Sequence, residues 1–392
     1  MTNNQTETFT ARYFDLRLDS SERGVTASVT DSPAGQSSSP VPVNLFEELA
    51  RFSPDELAGA DQVALGSNLW CSLFSHPETG ELWRASNAAG SSYLRLTISD
   101  PDLTALPWEL LHDPRTARFV ALDARSALIR FLPLPISTTA ELGDRPLRVL
   151  FTGCSPAALP RIEVERERNL LLDALPESDL ALVGGTHPMS LSQLASDLVQ
   201  GATVWHFAGH GTKQALIFDD GAGNPASVDA FTVGMLLTGA GVRVAVINSC
   251  RAGAGGGTAS SIAGALLRAG IPVVVALQSA IPDSAAIAFC RSFYQAIALG
   301  RSVEQATTDG RRAVFALGEP AGASWWMPAL FSRSDGPVVL VESNESVSGN
   351  LDSPRTVGPR AIASEGSAIS QGGVAISGHV GGCVVVVRSP KP

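Results

Sequence analysis

Val204-Trp205-His206-Phe207-Ala208-Gly209-His210-Gly211 and Val246-Ile247-Asn248-Ser249-Cys250-Arg251-Ala252-Gly253 decide the fold class of this chain. Each is an apolar run that stops abruptly in small residues. Runs of this length, bounded by turn residues, read as buried parallel strands. In an open parallel sheet, chemistry gathers at the carboxyl ends of the strands. His210 and Cys250 both fall at such ends, and one helix-plus-strand unit separates them. If the two strands are neighbours, an imidazole and a thiol meet at one end of the sheet.

Outward from these runs the pattern is regular. Strands are expected at Leu147 to Thr152, Leu180 to Val183, Val204 to Phe207, Val242 to Ile247, Val273 to Leu277 and Pro337 to Val341. Helices are expected at Val164 to Leu175, Ser190 to Val199, Asp229 to Leu237, Ser260 to Ala269, Asp283 to Leu299 and Ser302 to Phe315. Ser190 with Gln193 fits a capping box, and Gly270 is a helix stop. This alternation means a mostly parallel α/β sheet flanked by helices.

Residues 1–135 read as an α+β region, with strands at Phe9 to Leu18, Tyr93 to Ser99, Phe119 to Leu122 and Ala127 to Leu132. Helices are expected at Asn44 to Phe52 and from Ser53-Pro54-Asp55-Glu56, and a helix start at Leu106 to Leu111. His112 reads as an exposed residue at a helix end. Residues 145–342 form the second region, 343–360 a polar linker and 361–388 a Gly/Ser/Val-rich tail. The tail repeats an apolar step, Ser, then Gly, as in Ala368-Ile369-Ser370-Gln371-Gly372 and Ala375-Ile376-Ser377-Gly378. That pattern suits short strands with tight turns, or a flexible tail with a sticky Val384 to Val387 end.

Composition narrows the function. The chain has 392 residues, 44% of them hydrophobic, and a formal charge of −10. The acidic balance argues against nucleic acid or an anionic membrane as a partner. The longest apolar window, Ile262 to Ala280, is interrupted by Arg268 and Pro272 and is no membrane span. No signal peptide is evident, and the cysteines are five, scattered and without a CxxC pair. The expected compartment is the cytoplasm, where Cys250 stays a free thiol. There is no GxxxxGK[ST], GxSxG or HExxH motif, which removes P-loop, serine α/β-hydrolase and zincin chemistry.

What remains is a cysteine nucleophile. A free thiol is only a few per cent ionised at neutral pH, so it needs a base. His210 offers one. A tetrahedral oxyanion needs N–H donors, and the amides of Gly211 and Cys250 offer them. His206 is too far along its strand from His210 to share a metal with it, and reads as a core or supporting residue. Asp219, Asp220 and Asp283 lie on loops after strands. They are candidates for a substrate pocket, with loop carboxylates at the surface as the plainer reading.

At these residues the chain resembles the CHAT-domain family, caspase-like and separase-related cysteine peptidases. The likeness rests on Leu106-Pro107-Trp108-Glu109-Leu110-Leu111-His112-Asp113-Pro114, His206-Phe207-Ala208-Gly209-His210-Gly211 and Asn248-Ser249-Cys250-Arg251-Ala252-Gly253. It extends to the run Ile262 to Arg312 with Phe293-Tyr294 inside it, and covers residues 8–342. The resemblance implies a caspase-like α/β fold, a pseudo-caspase-like N-terminal region and a His210–Cys250 dyad with Gly211 as oxyanion donor. It implies a cysteine endopeptidase of bacterial defence or cell death that cuts a dedicated protein substrate, with no cofactor, metal or nucleotide. An activating partner, or self-association through residues 361–388, is expected. The alternative is a catalytically silent assembly module that acts through its C-terminal tail.

Overall fold

Alternate residues of the central strands enter two different cores, and this alternation fixes the architecture. The computed structural model describes residues 12–43, 57, 59–88, 90, 92–135, 146–174, 180–185, 189–212, 214–251 and 258–342. All of these lie within the unit Met1–Ser343. The helices expected from Asn44 and Ser53, the linker 343–360 and the tail 361–388 lie outside the described residues.

The first part holds β1 (Tyr13–Ser21), β2 (Gly24–Asp31), β3 (Val41–Val43), α1 (Gly59–Phe74), α2 (Pro77–Ala88) and β4 (Tyr93–Ile98). It continues with the single turn α3 (Pro101–Thr104), the short hairpin β5 (His112–Asp113) and β6 (Arg118–Phe119), and β7 (Leu128–Phe131). The second part runs β8 (Leu147–Gly153), α4 (Val164–Ala174), β9 (Leu180–Gly185), α5 (Leu191–Leu198), β10 (Val204–Gly211), β11 (Ala215–Asp219), β12 (Pro225–Asp229) and α6 (Ala230–Gly239). It ends with β13 (Val244–Arg251), α7 (Thr258–Ala269), β14 (Val273–Leu277), α8 (Asp283–Ala298), α9 (Val303–Phe315) and β15 (Pro328–Ser332).

Among the described residues, 13 strands form one sheet. β9, β8, β10, β13 and β14 are successive parallel neighbours. β15 is antiparallel to β14 and parallel to β7, and β7, β4 and β1 are parallel in turn. The sheet therefore passes without a break from one part of the chain to the other. The expected α/β class, a mostly parallel sheet flanked by helices, is what the structure shows.

On one face Phe151, Val204, Ala208, Val246 and Val275 join a core with Phe289, Phe293 and Tyr294 of α8. On the other, Leu150, Trp205, Phe207, Ala245 and Val274 join Ile262 and Leu266 of α7. Burial on both faces explains why these strands read as unbroken apolar runs. Each large apolar side chain so buried contributes about 1.5–3 kcal/mol.

The N-terminal motif has a structural explanation. Pro107 precedes a 3₁₀ turn at Trp108–Leu110 rather than a full helix. The turn delivers Glu109 into the core, where its carboxylate accepts from Arg130 Nε at 2.9 Å and Arg130 Nη2 at 2.6 Å, and from Gln278 Nε2 at 2.9 Å. Burial alone would raise the Glu109 carboxyl; the Arg130 and Arg311 guanidinium groups outweigh it and hold the group below its ordinary range.

Several expectations need correction. Pro337–Val341 is apolar and largely buried but makes no strand. It packs on α9, where Val338 N–H donates to the buried Glu304 carboxylate and Val338 C=O accepts from Val303 N–H at 2.8 Å. The last strand is instead β15. Phe119 ends β6, and Val120–Leu122 is a 3₁₀ turn. His112 is buried rather than exposed, with Nδ1 2.9 Å from Ser67 Oγ and its ring against Phe119. Cys71 on α1 is disulfide-bonded, which scattered cysteines gave no reason to expect.

Candidate functional site

β10 and β13 are direct neighbours, in register from Val204↔Val244 to Gly211↔Arg251. That register sets His210 opposite Cys250. Adjacent strands lie about 4.8 Å apart, so the two positions meet across one strand spacing, at the carboxyl end of both strands.

The end of β10 is reached from the side by the segment that follows β8. Pairing of β8 with β10 stops at Ala208↔Gly153. Cys154 N–H then donates to Ala208 C=O at 2.8 Å, and the chain turns, with Ser155 Oγ accepting from Ile162 N–H at 3.0 Å. The turn brings Pro160 C=O to 2.8 Å from His210 Nε2. A carbonyl only accepts, so Nε2 carries the proton and the neutral ring keeps its lone pair on Nδ1. The contact fixes both the ring's orientation and the nitrogen able to act as a base. His210 is 5% exposed.

Two glycines keep this strand end tight. A Cβ at Gly209 would lie 2.6 Å from Phe207 Cζ and 3.1 Å from Cys154 O. One at Gly211 would lie 3.1 Å from Ser249 Oγ and 3.4 Å from Ile262 Cδ1. Only glycine lets the loops close this far on β10.

A buried hydrogen-bonded group lies along the same strands. Glu167 of α4 accepts through Oε1 from His206 Nε2 at 2.8 Å and from Asn248 Nδ2 at 2.7 Å. His206 therefore donates from Nε2, and its Nδ1 accepts from the Tyr294 hydroxyl at 2.9 Å. Burial pushes the Tyr294 hydroxyl well above its ordinary range, so it stays a donor. α4 is thus tied to the His strand and the Cys strand at once. His206 is fully buried, in keeping with the core half of its expected core or supporting role.

The same group holds the described residues best suited to a cation. Ligand atoms of Glu167, His206 and Cys290 lie within 4.8 Å of one another. Both His206 nitrogens and one Glu167 oxygen are already hydrogen-bonded, and burial, with Glu167 adding to it, pushes the Cys290 thiol far up. These are the marks of a protein-satisfied cluster.

The three candidate pocket carboxylates separate. Asp219 and Asp220 form the tip between β11 and β12. Asp219 Oδ1 accepts from the amides of Gly221 and Gly223 at 2.7 and 3.1 Å. Asp220 accepts from the amides of Ala222 and Asn224 and from Asn224 Nδ2, and these bonds hold its carboxyl below its ordinary range. Asp283 begins α8, pairs with Arg166 and lines a cavity together with Glu167 and Asn248. Pro160, Glu167 and Tyr294 were not singled out from the sequence as site residues. The Glu-rich start of α4 was the one available signal, and a backbone carbonyl leaves none.

The CHAT domain family model matches residues 63–334. No curated protein matches the chain. Among solved structures, it is similar to the Arg specific cysteine proteinase gingipain R, RgpB of Porphyromonas gingivalis, at 12% identity and a TM-score of 0.42, over 77% of this chain and 72% of that one. It is also similar to the Saccharomyces cerevisiae separase–securin complex at 15% identity and a TM-score of 0.37, over 68% of this chain and 17% of that one. The Drosophila initiator caspase Dronc aligns at 11% identity and a TM-score of 0.33, over 55% of this chain and 97% of that one. The family match takes in well over half of the sequence, from α1 to the residues just past β15, and the chain belongs to the CHAT domain family.

Proposed function

We propose that the protein is a cysteine endopeptidase in which His210 is the general base and Cys250 the nucleophile. The observation that carries this reading is the register partnership of His210 with Cys250, with Pro160 C=O holding the histidine in its Nδ1-basic tautomer.

His210 Nδ1 takes the proton of the Cys250 thiol, and the sulfur attacks the scissile carbonyl carbon. The amides of Gly211 and Cys250 donate to the resulting oxyanion. His210 then returns its proton to the leaving nitrogen, the C–N bond breaks, and an acyl-enzyme remains. Water, deprotonated by the same nitrogen, adds to the acyl carbon and releases the sulfur. The Pro160 carbonyl stabilises the imidazolium that forms at each step. The finer form of the reading, a regulated bacterial defence or cell-death protease with a dedicated protein substrate, rests on the family resemblance.

The test is peptide cleavage by the purified full chain across a mixed substrate library, beside Cys250→Ala and His210→Ala. Cleavage should vanish in the first variant and fall by about a hundredfold or more in the second, with unchanged unfolding midpoints. Cleavage that persists in Cys250→Ala overturns the reading.

A further inference from the structure

We infer that the cavity between α4 and α8 receives the substrate side chain that precedes the scissile bond, and that it selects a basic one, lysine or arginine. The inference rests on the cysteine-endopeptidase reading and names the substrate class of that same site.

Position comes first. The cavity is lined by Asn248, two residues before Cys250 on β13, and by Ile162, two residues after Pro160, whose carbonyl holds His210. It thus adjoins both halves of the dyad through the two backbone segments that position them. Its volume is about 90 Å³. At about 10–15 Å³ per water-sized position, that is room for roughly six or more such positions, space that a substrate side chain can enter.

Chemistry comes second. Ile162, Ile281 and Ile287 give apolar walls that fit an aliphatic stem. The charged lining is Glu163, Glu167, Asp283 and Arg166; Glu163 is exposed and paired with Arg161 at 3.1 Å, so Glu167 is the lining carboxylate without an arginine partner among the described residues. Arg166 is already paired with Asp283, and both side chains are more than half exposed, at the rim. Glu167 is the inner carboxylate, 13% exposed. Its Oε1 takes both protein hydrogen bonds, while Oε2 has no hydrogen bond to any described residue. Asn248 spends its Nδ2 on Glu167, and its Oδ1 likewise accepts from no described residue. Two acceptors thus remain in the cavity, one of them on that carboxylate. An ammonium or guanidinium group satisfies both. A substrate carboxylate would be repelled by Glu167, and an apolar side chain would strip water from that carboxylate and leave it unpaired.

The experiment labels the full-length chain with two peptide electrophiles that differ only in the residue next to the thiol-reactive group, arginine or norleucine. The rate of Cys250 modification is read by peptide mass spectrometry. The arginyl probe should react about ten- to a hundredfold faster. Glu167→Gln keeps a carbonyl oxygen for His206 and Asn248 while removing the charge, and should bring the ratio down to about threefold or less. Asp283→Arg, at the exposed rim, should lower the ratio independently if the first variant folds poorly. Equal rates, or a faster norleucyl probe, in the wild type overturn the inference while leaving the peptidase reading intact. Failure of both probes to modify Cys250 overturns the reading and the inference together.

Discussion

Gly209 precedes His210 by one residue, and its missing side chain lets the Phe207 ring and the Cys154 carbonyl close on the end of β10. Alanine there would place a methyl 2.6 Å from Phe207 Cζ. The ring is fully buried and packed against Trp205 and Phe218. Gly209→Ala should therefore cost about 1–3 kcal/mol, read as a lower urea midpoint, and should slow peptide cleavage by displacing His210. Phe207→Leu shortens the obstructing side chain, so adding it to Gly209→Ala should recover part of the loss beyond simple additivity. Strict additivity of the two changes would sink the steric explanation. At this scale the sequence was informative where chemistry leaves a residue type behind. An imidazole and a thiol at the ends of apolar runs announce themselves, and the strand register sets those two positions side by side. The partner that sets the tautomer of His210 is a main-chain oxygen of Pro160, and no residue type encodes that. Nor did the sequence separate the thiols, which their surroundings do. Burial, with a smaller contribution from Asp219, pushes Cys154 up to about 12, and Cys290 rises further still, so neither offers a thiolate near neutral pH.

Elements here are tied together by buried charge as well as by apolar packing. Arg130 on β7 spans from Glu109 to the Thr104 and Leu106 carbonyls, at 2.6 and 3.0 Å, and to Gln278 Oε1 at 2.9 Å. Arg130→Met would leave the fully buried Glu109 with the neutral Gln278 amide at 2.9 Å and the more distant Arg311 cation, 3.9 Å away. A loss of about 3–5 kcal/mol is expected. The double variant Glu109→Met/Arg130→Met should be less stable still, because it leaves the fully buried Arg311 guanidinium without a carboxylate among the described residues. Denaturant unfolding of the pair of variants decides this, and a double variant more stable than Arg130→Met would refute it. Glu304 on α9 presents the opposite case, a buried carboxylate with no ion pair to a cation among the described residues. Burial raises it from 4.5 to about 7, against the smaller lowering effect of its hydrogen bonds. Between those values the folded chain binds more protons than the unfolded one, so stability falls as pH rises through this window. The shift corresponds to about 3 kcal/mol at most. Glu304→Gln should accordingly match the wild type near pH 4.5 and exceed it by up to that amount above pH 7. An equal difference at both pH values would show that titration is not the cause. Elements with a clean period were legible, and Val273–Leu277 and the cap Ser190 fall where the pattern sets them. The hairpin β11–β12 was not, since Pro225–Asp229 alternates weakly and is half exposed. Pro337–Val341 misled for the converse reason: an apolar run signals burial, and here a helix, not a strand neighbour, provides it.

For the whole molecule, the sheet is the unit of stability, and its strands among the described residues all lie between Tyr13 and Ser332. β15 joins the two parts of the chain by pairing antiparallel with β14 and parallel with β7. The described residues of both cores likewise lie between Tyr13 and Val341. Removing everything after Glu342 should therefore leave a chain that unfolds in one cooperative transition, with a midpoint within a few degrees of the full-length protein. The removed segment carries the Ile-Ser-Gly repeats and the apolar Val384 to Val387 end, a composition prone to self-pairing. On that basis the full chain should self-associate with rising concentration and the truncated chain should stay monomeric, as read by light scattering. The proposed catalytic pair, His210 and Cys250, lies on β10 and β13 of the retained sheet, so at high concentration the truncated chain should cleave peptide at a rate close to that of the full chain. At low concentration the two should diverge if clustering raises activity, with the full chain faster. A truncated chain that folds but cleaves nothing at any concentration would assign the tail a direct part in the site. A truncated chain that fails to fold would contradict the claim that stability resides in the sheet and its two cores.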